Sequence, residues 1–249
     1  VLSQLFALIW QVVMFSNKSE FIHFKRGIYR LKSHLVKNII AIGMSPFSMN
    51  VCACFVVIII NNSLVDHGGD MAVGAYGIIN RIAFIFVMIT IGVNQGMQPI
   101  AGYNYGAMKF DRMMRVLKYA VICGTCVTTV GFIVGQFFPE QCVRLFTSDE
   151  TLISLSAHAM RLTTVSFPII GFQMVVANFF QSIGKAKVSV FLSLSRQLVF
   201  LIPMLLVLPT LYGVDGVWYS MPVADTISAL VTAIIMYLFM RKINKQKTI

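Results

Sequence analysis

Six long apolar segments follow one another along the chain, separated by short polar stretches. Their approximate bounds are 38–62, 72–100, 116–138, 152–183, 188–211 and 217–240. A helix needs about 20 predominantly apolar residues to cross the hydrocarbon core of a bilayer, which is about 30 Å thick. The pattern therefore predicts an all-α integral membrane protein with a six-helix transmembrane bundle over residues 38–240.

Three further segments lie outside this bundle. Residues 1–15 are apolar but would rise only about 22 Å as a helix, too little to span the membrane. They are predicted to be the end of a transmembrane helix, and about 200 further residues are expected upstream. Residues 16–37 mix basic and apolar positions and predict an amphipathic connection on the cytoplasmic membrane surface. Residues 241–249 form a basic cytoplasmic tail.

The distribution of charge predicts the topology. The chain has 20 Lys and Arg against 9 Asp and Glu, and only 12% of its residues are charged. Most bases lie in segment 16–37, in the alternate loops 101–118 and 184–187, and in the tail, whereas acids dominate the other loops. The positive-inside rule predicts that the basic side and the C-terminus are cytoplasmic. We expect a multi-pass protein of the bacterial plasma membrane. Nucleic acid is a poor explanation for the excess charge, because the bases fall between apolar spans. Cytoplasmic loops in contact with anionic membrane lipid explain it better.

Four charged residues lie inside predicted spans: Arg81, Arg161, Arg196 and Asp225. Charges within a bilayer usually face a bundle interior or a water-filled path. Counting residues from the span ends puts all three arginines at nearly the depth of Asp225. Two interpretations stay open. One is a buried ion pair that holds helices together, which the excess of bases favours, and the other is a carboxylate that exchanges protons or cations.

Uncharged amide side chains recur in the second, fourth and fifth spans. In the second span, Asn80, Asn94 and Gln98 follow the three-and-four spacing of one helix face. Such groups either bind helices to one another or line a cavity. The candidate cavity-lining residues are Asn80, Asn94, Gln98, Gln173, Asn178, Gln181 and Arg196. Arg81 and Arg161 are ion-pair candidates.

The chain carries no catalytic motif that we recognise. It lacks a phosphate-binding glycine loop, an H-E-x-x-H sequence and a G-x-S-x-G sequence. Its four histidines are scattered, and Cys123 and Cys126 lie within a span without a nearby His or carboxylate. We therefore predict no enzyme, no cofactor and no metal site.

Three motifs resemble those of multidrug and toxic compound extrusion (MATE) transporters. The stretch Gln98-Pro99-Ile100-x-Gly102-x-Asn104-x-Gly106 resembles the end of the second helix of a MATE lobe. Asn178 to Lys185, read as N-F-F-Q-S-I-G-K, looks like the family's F-Q-x-x-G-K ending of the fifth helix. The third motif is similar to the last hairpin of the family and consists of Arg196-Gln197, Pro203 and Gly213-x-x-Gly216-Val217-Trp218.

The resemblance implies a fold of twelve helices in two six-helix lobes. This chain would be part of helix six, the inter-lobe connection and helices seven to twelve, paired with a missing N-terminal lobe. The family exports small amphipathic or cationic drugs in exchange for H⁺ or Na⁺ by alternating access. The chain resembles the MepA-like and DinF-like branches, because spans 38–62 and 152–183 lack the interior acids of the NorM-like branch. Asp225 is then the coupling-ion candidate of this half.

Two alternatives compete with an efflux antiporter. A lipid-linked oligosaccharide flippase of the same superfamily would be expected to have a more cationic cavity, and the three intramembrane arginines keep it open. Seven apolar segments could also indicate a seven-helix receptor, but the first is too short to span.

Overall fold

The computed structural model describes residues 2–17 and 32–247, which fall into two units, Val1–Ser45 and Pro46–Ile249. In the first unit, helix α1 covers Leu2–Ser16, and its side chains are exposed. The predicted connection over 16–37 lies mostly outside the described residues. The next helix begins at Ser33.

The described part of the chain is helical throughout and contains no strand. Its elements after α1 are α2 (Ser33–Gly106), α3 (Phe110–Phe137), α4 (Pro139–Arg144), α5 (Glu150–Thr164), α6 (Phe167–Ser182), α7 (Ala186–Leu194), a π-helix (Ser195–Leu201), α8 (Ile202–Tyr212) and α9 (Val214–Lys247). This confirms the predicted all-α membrane fold.

The six predicted spans correspond to these elements once one kink is taken into account. Within the described residues, four helices are long and apolar enough to cross a membrane, or five if the bent pair α5 and α6 is one span. The first of them, Asn50–Gly106, has 57 residues and would be about 85 Å long if straight. Gly69 interrupts it with non-helical torsions, φ 66° and ψ −167°. Residues on both sides of Gly69, among them Ile60 and Ile79, join one buried cluster, so the two halves of α2 are two spans.

The connections between spans are shorter than the sequence predicted. An acidic loop was expected around Asp66 to Asp70, but Gly69 alone leaves the helix. The second span was expected to end near Ile100, whereas α2 continues to Gly106 without a break at Pro99. A close approach explains the glycine at 102, since a Cβ there would lie 2.8 Å from the carbonyl oxygen of Ser182.

Helix α3 begins at Phe110 rather than near Val116. Arg112, Arg115 and Lys118 were expected in a loop, but they lie on the first turns of this helix. Cys142 falls between two of the predicted spans, and in the structure it lies on the short helix α4. The end of a membrane helix can carry charged residues, because their long side chains reach the aqueous surface. Hydropathy alone therefore predicts helices that are too short at such ends.

Two predicted spans are irregular in their interior. The fourth is broken between α5 and α6, which meet at an angle of 53° beside Pro168. The fifth changes from α7 to the π-helix and back to α8, whose first turn contains Pro203. Proline lacks the amide hydrogen that a regular helix requires, and π-helical turns absorb such interruptions.

Two apolar clusters make up the core of the second unit. One joins α2, α3, α6, α7 and α9 around Phe179, Phe180 and Phe239. The other joins α2, α4, α5, α8 and α9 around Trp218. Along α9, Trp218 and Phe239 lie on either side of Asp225, which places this carboxylate between the clusters.

The loop between α6 and α7 is held against the end of α9. Nζ of Lys185 lies 4.0 Å from the centre of the Phe239 ring, in a cation–π contact. The pKa of Lys185 is lowered, mainly by burial and also by repulsion from Lys242. The turn at the end of the Q-S-I-G-K sequence is therefore held against the last helix.

Candidate functional site

A cavity of about 360 Å³ lies inside the second unit. Both halves of α2 line it, together with α3, α5, α6, the π-helix and α9. Most of its wall is apolar, and its polar side chains are Tyr76, Asn80, Thr128, Thr163, Arg196, Gln197 and Asp225. Small-molecule sites have this composition, in which a few polar groups orient a largely apolar ligand.

An ion pair forms the charged part of the cavity wall. Nε of Arg196 donates to Oδ1 of Asp225 at 2.6 Å. The Asp225 side chain is 7% exposed and that of Arg196 is 33% exposed, so the acid is buried while the base reaches the cavity. Oγ of Ser166 donates to the other carboxylate oxygen at 3.0 Å. Both oxygens of Asp225 are thus engaged.

Irregular backbone positions two of these three side chains. Arg196 is the second residue of the π-helix, and Ser166 lies at the break between α5 and α6. Non-helical backbone within a membrane is found where protein or a water-filled cavity surrounds it. Asp225 instead lies inside the long helix α9. The site therefore combines one acid within a long helix with two donors on segments that depart from ideal helix geometry.

Asp225 had three candidate partners at its depth, and the structure pairs it with Arg196. Arg161 is exposed and lies 4.0 Å from Oε1 of Glu140, an exposed pair. Arg81 is also exposed. Depth along a span does not specify direction around the helix, which is why the sequence left the three equivalent.

The predicted amide residues fall into separate environments. Asn80 lines the cavity, whereas Gln181 is exposed at the end of α6. Nε2 of Gln98 donates to Oδ1 of Asn178 at 3.3 Å, which joins α2 to α6. Gln173 is buried and donates to Oγ of Ser228 on α9.

Asn94 is 2% exposed, and neither of its amide atoms has a hydrogen-bond partner among the described residues. Five of the predicted amide residues are not among those that line the cavity: Asn94, Gln98, Gln173, Asn178 and Gln181. Three of the predicted residues, Gln98, Asn178 and Gln173, thus serve as hydrogen-bonded links between helices.

Sequence reasoning missed the contribution of Ser166. A serine two residues before Pro168 carries no special signal in an apolar span. In the structure, the helix breaks beside this proline, and the break lets Ser166 reach Asp225. Thr128 and Thr163 also line the cavity and were also missed, because threonine in a membrane helix usually bonds its own backbone.

Comparison with known proteins identifies the family. The MatE family model matches residues 46–207, which is most of the predicted bundle. The chain belongs to the MatE family. The resemblance stated above is confirmed, and membership in a family of membrane transporters leaves the seven-helix receptor without support.

Multidrug export proteins named MepA are among the relatives that this chain matches. The multidrug export protein MepA of Staphylococcus aureus (strain bovine RF122 / ET3-1) is 24% identical over 237 residues, covering 95% of this chain and 52% of the relative. MepA of Staphylococcus saprophyticus is 23% identical over 246 residues, covering 99% of this chain and 54% of the relative. The chain therefore spans about half the length of these MatE relatives.

Solved structures agree with the fold. The MATE multidrug transporter DinF-BH, solved as a ligand complex, has a TM-score of 0.78 and 33% identity, and the match covers 94% of this chain and 52% of that one. A MATE transporter in complex with MaL6 has a TM-score of 0.86 at 18% identity, and the match covers 98% of this chain and 56% of that one. At that identity the second match supports the fold alone.

Proposed function

We infer that the chain is the C-terminal lobe of a secondary transporter that exports amphipathic organic cations in exchange for H⁺ or Na⁺. The single observation that carries this inference is the Arg196–Asp225 pair in the wall of a mostly apolar cavity. The relatives are named as multidrug exporters, which supports drugs as the substrate class. The family is one of transporters, and ion-coupled exchange needs no catalytic group.

Coupling in this half depends on what occupies Asp225. In the present arrangement Arg196 neutralises the carboxylate, and the pair has no net charge. When H⁺ or Na⁺ takes the carboxylate, Arg196 must leave it and adds a positive charge to the cavity. An organic cation is then repelled, which makes binding of the cation and binding of the ion mutually exclusive. The π-helix under Arg196 supplies the backbone that rearranges.

The charge distribution supports an orientation across the membrane, and the bacterial relatives support the bacterial plasma membrane as the location. We place the chain in the bacterial plasma membrane, with segment 16–37 and the tail 241–249 on the cytoplasmic side. Residues 1–15 then belong to helix six and residues 38–240 to the C-terminal lobe. An N-terminal lobe of the same protein completes the transport path, and access alternates between the lobes.

The oligosaccharide flippase receives less support from the cavity. That reading rested on Arg81, Arg161 and Arg196, yet only the last of these is among the cavity-lining residues. Asp225 balances its charge. A strongly cationic site for a pyrophosphate-linked substrate is therefore not what these side chains form.

The test uses the full-length protein that contains this chain, in inverted membrane vesicles that hold a pH or Na⁺ gradient. Adding an organic cation such as ethidium or tetraphenylphosphonium is expected to dissipate one of the two gradients. Vesicles from cells without the protein are the control. If a panel of such cations leaves both gradients intact, the proposal is wrong.

A further inference from the structure

A second concave surface lies on the outside of the bundle, between α3, α6 and α9. It has a volume of about 690 Å³ and is open along one side. Its apolar lining residues are Met114, Leu117, Val121, Ile122, Phe172, Val176, Met236 and Met240, and its polar ones are Arg115, Lys118 and Tyr119. We call this surface the α3 groove. It shares no lining residue with the cavity around Asp225.

Charge is confined to one end of the α3 groove. Arg115 and Lys118 are three residues apart, so they lie on one face of α3. Both are exposed, and no acidic residue lines the groove. Arg115 and Lys118 lie near the N-terminal end of α3, just before its long apolar part. The groove therefore offers two positive charges at the level where a membrane helix meets the headgroups.

The remaining wall leads from these charges into the membrane. Ile122 is seven residues beyond Arg115, which is about 10 Å along the helix axis. Met240 and Met236 on α9 border the groove along with Phe172 on α6. Methionine side chains adapt to irregular shapes, so this wall suits a flexible hydrocarbon chain.

We propose that the α3 groove binds one anionic phospholipid, with its phosphate at Arg115 and Lys118 and an acyl chain along Ile122, Val176 and Met236. Basic pockets between membrane helices favour anionic headgroups by charge. An organic cation does not fit the two bases, and a free phosphate leaves the apolar wall uncovered. The chain's transport activity is not needed for this inference, which rests on the groove alone.

The experiment measures lipids retained by the purified full-length protein, using native mass spectrometry. Phosphatidylglycerol and phosphatidylcholine with identical acyl chains are added in equal amounts. The wild type is expected to retain phosphatidylglycerol over phosphatidylcholine by about tenfold or more, because each base near the surface favours an anionic lipid. Equal retention of the two lipids would show that the protein does not select an anionic headgroup, and would overturn the proposal.

Three variants separate the groove from general surface charge. Arg115→Gln/Lys118→Gln should abolish the preference. Ile122→Trp should reduce phosphatidylglycerol retention by filling the groove while both bases remain. Lys109→Gln/Arg112→Gln removes the same charge from the start of α3, outside the groove, and should keep the preference.

Three outcomes of this set contradict the proposal. An equal loss in the Lys109/Arg112 variant would reduce the effect to diffuse surface charge. Displacement of the lipid by water-soluble glycerophosphoglycerol at the same concentration would mean that the headgroup binds without the groove. Retention of the preference in the Arg115/Lys118 variant would also overturn it.

Discussion

Asp225→Asn is expected to reduce ion-coupled efflux of organic cations by the full-length protein to background. Asparagine keeps the size of the side chain and still accepts a hydrogen bond from Ser166, but it binds neither H⁺ nor Na⁺ as a carboxylate does. The variant also leaves Arg196 without its partner. Removing one member of a buried pair costs about 3–5 kcal/mol, and the partial exposure of Arg196 favours the lower end.

A second variant distinguishes lost coupling from lost stability. Arg196→Gln/Asp225→Asn removes both charges, so no unpaired charge stays in the bundle, and the amount of folded protein should return toward wild type. Efflux should still be absent. Both quantities are measured together, folded protein by detergent size exclusion and efflux with a fluorescent cation. Wild-type coupling in this double variant would reduce the pair to a structural link between the π-helix and α9.

Gly171→Ala is expected to destabilise the lobe by forcing α3 and α6 apart. Gly171 packs against α3, where a Cβ would lie 2.6 Å from the carbonyl oxygen of Gly124 and would also clash with Thr128. A backbone oxygen cannot turn away as a flexible side chain can, so the two helices must separate. Overpacking costs about 1–3 kcal/mol and here should reach the upper end. The melting temperature of the purified full-length protein measures the effect.

Gly92→Ala is the matched control for this change. Gly92 also lies inside a helix, and a Cβ there meets nothing within 4 Å in the described part of the chain. Alanine is favoured over glycine in a helix by about 0.5–1 kcal/mol, so this variant should be as stable as the wild type or slightly more so. Equal destabilisation at both positions would contradict the close packing of α3 on α6.

The hydrophobic pattern predicted the membrane spans because burial in lipid requires long apolar helices with all backbone groups bonded. Charge predicted which polar stretches share a side. The depth of Asp225 could be counted from the span ends, and that count left Arg196 among its three possible partners. These predictions depend on hydropathy, charge and the number of residues from a span end, all of which can be read directly from the sequence.

The rest of the site depends on rotation and on local irregularity. Ser166 reaches Asp225 because α5 and α6 meet at a break, and Arg196 does so from a π-helix. A π-helical insertion shifts every later side chain around the axis. The regular spacing of Asn80, Asn94 and Gln98 put them on one face of α2 but did not show that they lie in different environments. Likewise, nothing in the sequence indicated that Arg196 lies on a π-helix beside Asp225.

The central claim is that this chain is half of an exchanger in which an organic cation and H⁺ or Na⁺ move in opposite directions. Liposomes with the purified full-length protein test it most directly, loaded with tetraphenylphosphonium and with H⁺ and Na⁺ each at equal concentration on both sides. Outward flow of the organic cation should drive one of these ions inward against the gradient that it builds, with the membrane potential clamped. If the organic cation leaves while neither ion accumulates, the protein does not exchange them, and the account is contradicted.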